Sequence, residues 1–190
     1  MALLVLVLTM SNTNKTISIF ISILLLCSSV TDVYARSVEK QAVLAVLTLN
    51  VARFTSWPEQ AKSILNFCII GDNIVQQSFE NIDSKVINNR TIHIINLSRL
   101  RNLEQCQLLY VSELERNRLV PLLAELRGQA TLTIGENIEF LQASGMVGLE
   151  RINGKIQLNI NLSSVKESNL LISSRLLKLA NIVSFPTSTY

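Results

Sequence analysis

The feature that most constrains the fold is an alternation of short apolar runs with helix-patterned segments. Leu65–Ile70 is an apolar run closed by Gly71-Asp72, and Thr91–Leu97 reads Thr-Ile-His-Ile-Ile-Asn-Leu. Gln107–Val111 and Ala130–Ile134 follow. Runs of about four to eight such residues, bounded by turn signals, read as buried strands. Helical patterns lie around them: Ser37–Phe54 without a breaker, a short segment over Ile74–Asn81, Arg118–Arg127 and Asn137–Ala143. Asn117 is placed to cap the third of these, with Leu119, Leu122, Leu123 and Leu126 facing inward and Gly128 stopping it. Pro121 then falls in the first turn, where its missing N–H costs little. Strands alternating with helices build parallel βαβ units in three layers.

The last third departs from that rhythm. Met146–Ile152 and Lys155–Asn161 flank Asn153-Gly154, a strong hairpin signal. Ile156, Leu158 and Ile160 alternate with Gln157, Asn159 and Asn161, so one face of that strand is expected to be wetter. Ser164 and Glu167 read as a capping box opening a last helix to about Val183. Residues 184–190 read as a flexible tail. The expected fold is α/β: a three-layer domain with a mixed, mostly parallel sheet flanked by helices, closed by a C-terminal β-hairpin plus a final helix.

The first helix carries two apolar stripes. Val38, Ala42, Ala45, Leu49 and Ala52 form one; Val43, Leu47, Val51 and Phe54 form the other. Two stripes mean a helix sandwiched within its own fold or one with a second partner.

The N-terminus reads as an export signal. Lys15 supplies the positive region, residues 17–26 the apolar region and Val33-Tyr34-Ala35 the small-residue cleavage pattern. The apolar region is short of the roughly 20 residues that span a bilayer. Residues 1–35 are therefore a signal peptide, with Met10 the better start because residues 1–9 carry no Lys or Arg. An uncleaved signal anchor is the alternative. Leu26 before Cys27 is too bulky for a lipoprotein site. Removing residues 1–35 from 190 leaves 155, one domain's worth, over residues 36–183 and the tail.

Cleavage leaves Cys68 and Cys106 as the only cysteines. An even count in an oxidising compartment points to a disulfide. If the first three strands follow the doubly wound order 2-1-3, the strands of the two cysteines are neighbours, about 4.8 Å apart. A disulfide needs Cα atoms about 4.4–6.8 Å apart. Cys106 precedes its strand while Cys68 lies inside one, so register decides whether the bond forms. A structural role is favoured over a redox switch.

The charge balance, 17 basic against 14 acidic residues, is mild and scattered. No basic run interleaves with aromatics, so nucleic-acid binding has no electrostatic footprint. His93 is the only histidine and sits inside an apolar strand, which reads as a hydrogen-bonded sheet residue rather than a catalytic base. Cys68, Cys106 and His93 lack zinc-ligand spacing. Gly71-Asp72-Asn73 follows a strand and opens a helix, a place where α/β folds bind anions or cofactors, although one glycine more simply marks a capped turn. Asn-x-Ser/Thr triplets begin at Asn89, Asn96 and Asn161, and in an Asn-rich chain read as chance. No catalytic residue, cofactor or metal ligand is expected.

In chain order stand Phe54-Thr55-Ser56-Trp57-Pro58 after the first helix, Phe67-Cys68-Ile69-Ile70-Gly71, Arg90 before the next strand, and Cys106 through Val111. Leu132-Thr133-Ile134-Gly135, Gly145 through Leu149, Lys155 through Leu162 and Leu171 through Ala180 complete the set. Together they resemble the YfiR family of bacterial periplasmic proteins over about Val38 to Asn181. Phe54, Trp57, Pro58, Gly71, Asn161, Ser173, Ser174, Leu176, Leu177 and Ala180 are the positions taken as family signature. The resemblance implies a non-catalytic periplasmic regulator. Such a protein binds the periplasmic region of an inner-membrane diguanylate cyclase and represses it, lowering cyclic di-GMP and biofilm formation. It also implies a homodimer, sequestration by an outer-membrane OmpA-like lipoprotein, and redox tuning through cysteines. Some members have a second disulfide in the later half, which nothing here matches. The competing reading is a periplasmic small-molecule-binding sensor or transport accessory protein using the turn at Gly71-Asp72, with an enzyme a distant third.

Overall fold

The computed structural model describes residues 31–58 and 63–185. Residues 1–30 of the expected 1–35 signal peptide and the end of the expected tail lie outside the described residues. The chain divides into two units, Met1–Glu39 and Lys40–Tyr190. The described end of the first unit is helical and belongs to α1 (Thr31–Arg53), which opens six residues before the expected Ser37 and runs through the expected cleavage point after Ala35.

The second unit continues α1 and adds β1 (Thr55–Ser56), β2 (Ile64–Ile70), α2 (Asn73–Glu80), β3 (Val86–Ile87) and β4 (Arg90–Asn96). After a 3-10 turn at Leu103–Gln105 come β5 (Leu108–Val111), α3 (Arg116–Glu125), β6 (Leu132–Gly135), α4 (Ile138–Gln142), β7 (Val147–Ile152) and β8 (Lys155–Asn161). The chain closes with α5 (Leu162–Glu167), β9 (Leu171–Ile172), α6 (Ser174–Leu177) and β10 (Asn181–Val183). Eight strands form one sheet in the order β10-β8-β7-β6-β5-β2-β4-β3. The β7–β8 and β3–β4 pairs are antiparallel, and the other neighbours are parallel. The expected 2-1-3 order appears as β4-β2-β5.

Side-chain alternation along the strands divides the core into two layers. Phe67 and Ile69 of β2, with Leu108, Leu132, Ile134 and Val147, pack under Leu44, Ala45, Leu49 and Ala52 of α1 and Val75 and Phe79 of α2. Cys68 and Ile70, with Leu109 and Val111, pack on the other face under Leu119, Leu122 and Leu123 of α3 and Phe140 and Leu141 of α4. The first stripe of α1 is thus core where it lies in this unit. The second stripe is divided: Val51 is buried, Leu47 and Phe54 are half-buried, and Val43 is exposed.

Cys68 and Cys106 form the expected disulfide, with Cα atoms 5.7 Å apart. The 3-10 turn resolves the register question. The Cys106 N–H bonds to Leu103 O as the turn closes, and the cysteine enters the same buried layer as Cys68. The hairpin also forms as expected: Ile152 pairs with Lys155, and Asn153 and Gly154 take φ of 50° and 80°. Both central residues in the left-handed region make the turn that matches strand twist.

Four expectations fail. Helix α3 opens at Arg116 with Glu115 in the N-cap position, and Asn117 caps nothing. The amides of Arg118 and Leu119 both bond to Glu115 O. Pro121 therefore lies in the second turn, and the bond its N–H would have given Asn117 O is absent. Burial of Leu119, Leu122 and Leu123 holds the helix together across that gap.

The long final helix is not there. Asn161, not Ser164, caps α5, accepting from the Ser164 amide at 3.4 Å. Helix α5 stops at Glu167 because Asn169 turns left-handed, at φ 54°. The amides of Asn169 and Leu170 then bond back to Lys166 O and Val165 O, a Schellman closure. The chain beyond makes two strands paired with distant partners: β9 with β1, and β10 with β8.

That last pairing also overturns the wetter face of β8. Asn159 and Asn161 are buried because β10 covers the strand edge. The Asn159 amide donates to the Glu150 carboxylate at 3.4 Å, and its carbonyl accepts from Asn181 at 3.2 Å.

His93 stands on β4 as expected but points to solvent, and its Nδ1 is 3.7 Å from the Asp83 carboxylate. Asp83 in turn accepts from the Ile94 N–H at 2.8 Å, which holds its carboxyl below the usual carboxylate range. Of the expected tail, Phe185 packs against the α3 layer.

Candidate functional site

The segment after α1 and the segment after α5 meet in a clasp. Thr55 and Ser56 of β1 pair antiparallel with Ile172 and Leu171 of β9. Ser173 N–H donates to Phe54 O at 2.9 Å, and the Thr55 hydroxyl caps back to Val51 O at 2.9 Å. Trp57 leaves the clasp towards the sheet, and its indole N–H donates to Gln107 O at 2.9 Å. The Gln107 side chain accepts from the main-chain N–H of Asn66, so Trp57 is tied to both β2 and the start of β5, one residue from Cys106. Pro58 is exposed beside it, and the two help to line a cleft of about 210 Å³ that reaches Cys106.

An open apolar groove of about 1010 Å³ lies beside the clasp. Leu47 and Val51 of α1 with Phe54 just after it form one wall, Leu149, Ile156 and Leu158 of the hairpin another, and Leu176 and Leu179 the end. The rim is polar: Asn50, Asn153, Lys155, Gln157 and Asn181. Leu179 is 79 % exposed, the most open of the large apolar residues described, and Leu171 on β9 follows at 70 %. Val43 and Val46 extend the apolar surface along α1, 46 % and 51 % exposed.

The other candidates are structural. Asp72 caps α2, accepting from Val75 N–H at 2.9 Å, and Gln76 bonds Gly71 O, so the polar atoms of that turn are used within the fold. Gly71 is required there because a Cβ would sit 2.7 Å from Val75. Tyr110 is fully buried, and burial first, then the Glu136 carboxylate, pushes its hydroxyl far above its ordinary pKa. Among the described residues no three His, Cys, Asp or Glu side chains gather as metal ligands. No described helix is long and apolar enough to cross a membrane.

Residues 41–181 match the YfiR/HmsC-like family model. The chain belongs to the YfiR/HmsC-like family. The matched stretch covers well over half of the sequence and takes in the sheet as far as the first residue of β10, the clasp and the groove. No curated protein matches the chain. The YfiR/HmsC-like family is one of periplasmic regulators associated with diguanylate cyclase signalling, regulatory rather than catalytic.

The expected signature positions fall into three places. Phe54, Trp57 and Pro58 come together with Ser173, Ser174, Leu176, Leu177 and Ala180 around the clasp, although more than a hundred residues separate the two groups. Ser173 caps α6, accepting from Arg175 N–H at 3.2 Å. Asn161 caps α5 from the end of β8, and Gly71 stands apart at the α2 turn. The groove and its exposed Leu179 were missed in the sequence because residues 164–183 read as one helix. The signal that would have found it is Asn169 followed by the short apolar pair Leu171-Ile172 and the run Asn181-Ile182-Val183 with its two β-branched residues.

Proposed function

We propose that this chain is a non-catalytic periplasmic regulator that binds the periplasmic region of an inner-membrane diguanylate cyclase and represses it. Repression lowers cyclic di-GMP and with it biofilm formation. The protein reaches the periplasm by removal of residues 1–35, works as a homodimer, and is withdrawn from the cyclase by an outer-membrane OmpA-like lipoprotein.

The observation that carries this reading is the open apolar groove, joined to membership of the YfiR/HmsC-like family. Contiguous exposed apolar surface on a folded domain marks a place where another molecule sits. The groove and the outer face of α1 supply such surface. The titratable groups that are well buried, Tyr110 and Glu136, are spent on each other and on Lys40.

The deciding experiment is deletion with complementation, reading cyclic di-GMP and surface attachment, together with co-purification of the exported protein from inner-membrane extract. Deletion should raise cyclic di-GMP, the wild-type copy should restore it, and a diguanylate cyclase should co-purify. An unchanged cyclic di-GMP level on deletion overturns the reading. N-terminal sequencing of the periplasmic protein should return Arg36-Ser37-Val38, and a membrane-bound product retaining Lys15 overturns cleaved export.

A further inference from the structure

A second cleft, of about 390 Å³, lies where the clasp meets the β3–β4 turn. Arg53, the last residue of α1, and Arg90, the first of β4, both line it. Alternation along β4 puts Arg90 on the same face as Ile92, which packs in the α1 layer, so Arg90 stands on the side of the sheet where α1 ends. The two elements are tied together there. Asn88, left-handed at the tip of the β3–β4 turn, donates from its side-chain amide to Arg53 O at 3.1 Å. Ser56 of β1 and Ser173 after β9 bring hydroxyls to the lining, and Trp57 brings an indole anchored through its N–H.

The charge of this cleft is one-sided. No acidic residue stands among the described residues that line it, and neither arginine has a carboxylate within 4.0 Å among the described residues. The partial negative charge at the end of α1 is already met. Val51 O accepts from the Phe54 N–H and the Thr55 hydroxyl, and Arg53 O accepts from Asn88. Two like charges from separate elements thus face one concavity, an arrangement that an anion between them stabilises.

We infer that this cleft binds a small phosphomonoester, its phosphoryl group between Arg53 and Arg90 and its organic part against Trp57. A guanidinium presents a planar fork that matches phosphoryl oxygens. A phosphomonoester carries about 1.5–2 negative charges near neutral pH and has three strong acceptor oxygens, enough for two forks and a serine hydroxyl. A carboxylate has a single charge and two oxygens, fewer than two arginines and the hydroxyls can use. The volume lies at the small end of the roughly 300–1,000 Å³ that organic ligands occupy. Phe54 lines both this cleft and the apolar groove, so an occupant here lies beside the surface assigned to the partner protein. The site rests on its own residues and does not depend on which protein the regulator binds.

Trp57 is the only tryptophan of the chain, so its fluorescence reports on the cleft without a label. Phenyl phosphate, inorganic phosphate and benzoate are titrated into the purified exported protein, with calorimetry as the second readout. Phenyl phosphate should bind saturably with a change in Trp57 emission, about tenfold or more tighter than either inorganic phosphate or benzoate. Arg53→Gln and Arg90→Gln should each weaken it about tenfold or more, the loss expected for a hydrogen bond to a charged group. Arg151→Gln, on β7 and outside the cleft lining, should leave binding unchanged. Added salt should weaken binding. Circular dichroism spectra check that each variant is folded. Ser56→Glu, at an exposed position, places a carboxylate in the cleft and should abolish binding with both arginines intact. No saturable binding at millimolar phenyl phosphate, benzoate binding as tightly, or an affinity indifferent to both arginine substitutions overturns the inference. None of these outcomes bears on the cyclic di-GMP level of the deletion strain, so the regulator reading stands or falls separately.

Discussion

The Tyr110 hydroxyl donates a 2.9 Å hydrogen bond to Glu136 Oε1, while Lys40 Nζ holds the other oxygen, Oε2, at 2.8 Å. One carboxylate at the end of β6 thus ties the middle of the sheet to α1. Glu136→Ala leaves the buried Tyr110 hydroxyl without an acceptor and should cost about 1–3 kcal/mol. Glu136→Gln keeps an acceptor and loses only the partly exposed pairing with Lys40, so about 1 kcal/mol or less. Thermal melts should rank them in that order. Because burial raises the Tyr110 pKa, its contribution to stability is complete below the unfolded-chain value of about 10 and declines as pH rises above it. Tyrosinate absorbance from Tyr110 should therefore appear only together with unfolding, and Tyr110→Phe should remove that component.

The Cys68–Cys106 bond closes a loop with a sequence separation of 38. The chain-entropy model gives about 4 kcal/mol for that length, an upper figure, since residual structure in the unfolded chain subtracts from it. Cys68→Ser and Cys106→Ser should each lower the melting temperature by about 5–15 °C. The double variant should be no worse than either single. Both cysteines are buried, so mild reductant well below the melting transition should leave the bond intact, as a count of free thiols in the folded protein checks.

Gly145 has no room for a side chain. A Cβ there would run into the Phe140 ring and its carbonyl oxygen, which is already held by the Gly145 N–H at 2.9 Å. Gly145→Ala should destabilise by about 1–3 kcal/mol through overpacking. Gly154 is the contrast: nothing lies within 4 Å of its would-be Cβ, and only its φ of 80° opposes a substitution. Gly154→Ala should therefore cost about 1–2 kcal/mol from backbone strain alone. Urea denaturation of both variants should show Gly145→Ala relieved by a compensating Phe140→Leu, and Gly154→Ala unaffected by it.

Val46 is half exposed on the outer face of α1, one position from Leu47 in the groove wall. Val46→Glu should relieve repression, raising cyclic di-GMP towards the level of the deletion strain, with a native circular dichroism spectrum and less than about 1 kcal/mol lost from stability. Unfolding of the variant would show that Val46 serves the fold rather than a partner.

Local chemistry wrote much of this architecture into the sequence. The runs around Phe67, Ile94, Tyr110 and Ile134 are strands because β-branched and aromatic side chains fit a pleated surface buried on one or both faces. Asn153-Gly154 is a hairpin turn because both residues accept positive φ. The two cysteines pair because the strand order that follows from βαβ alternation makes their strands neighbours. The strands and the turn depend on a residue and its near neighbours, and the disulfide adds only the strand order to them.

Only the tertiary structure decided the rest, because it depends on groups far apart in sequence. A helix from Ser164 to Val183 is a reasonable local reading. It loses to Asn169 in a left-handed turn, which frees Leu171 and Ile172 to pair with Ser56 and Thr55, and Asn181 through Val183 to pair with β8. Neither pairing leaves a trace in a window of neighbouring residues. The same holds for Asn159 and Asn161, polar by composition yet buried once β10 arrives, and for Pro121, tolerated inside α3 by the burial of Leu119, Leu122 and Leu123. The groove belongs wholly to this second class. Leu47 is separated from Leu158 and Leu179 by over a hundred residues, and the apolar floor exists because the sheet and the clasp bring α1, the hairpin and α6 to one place.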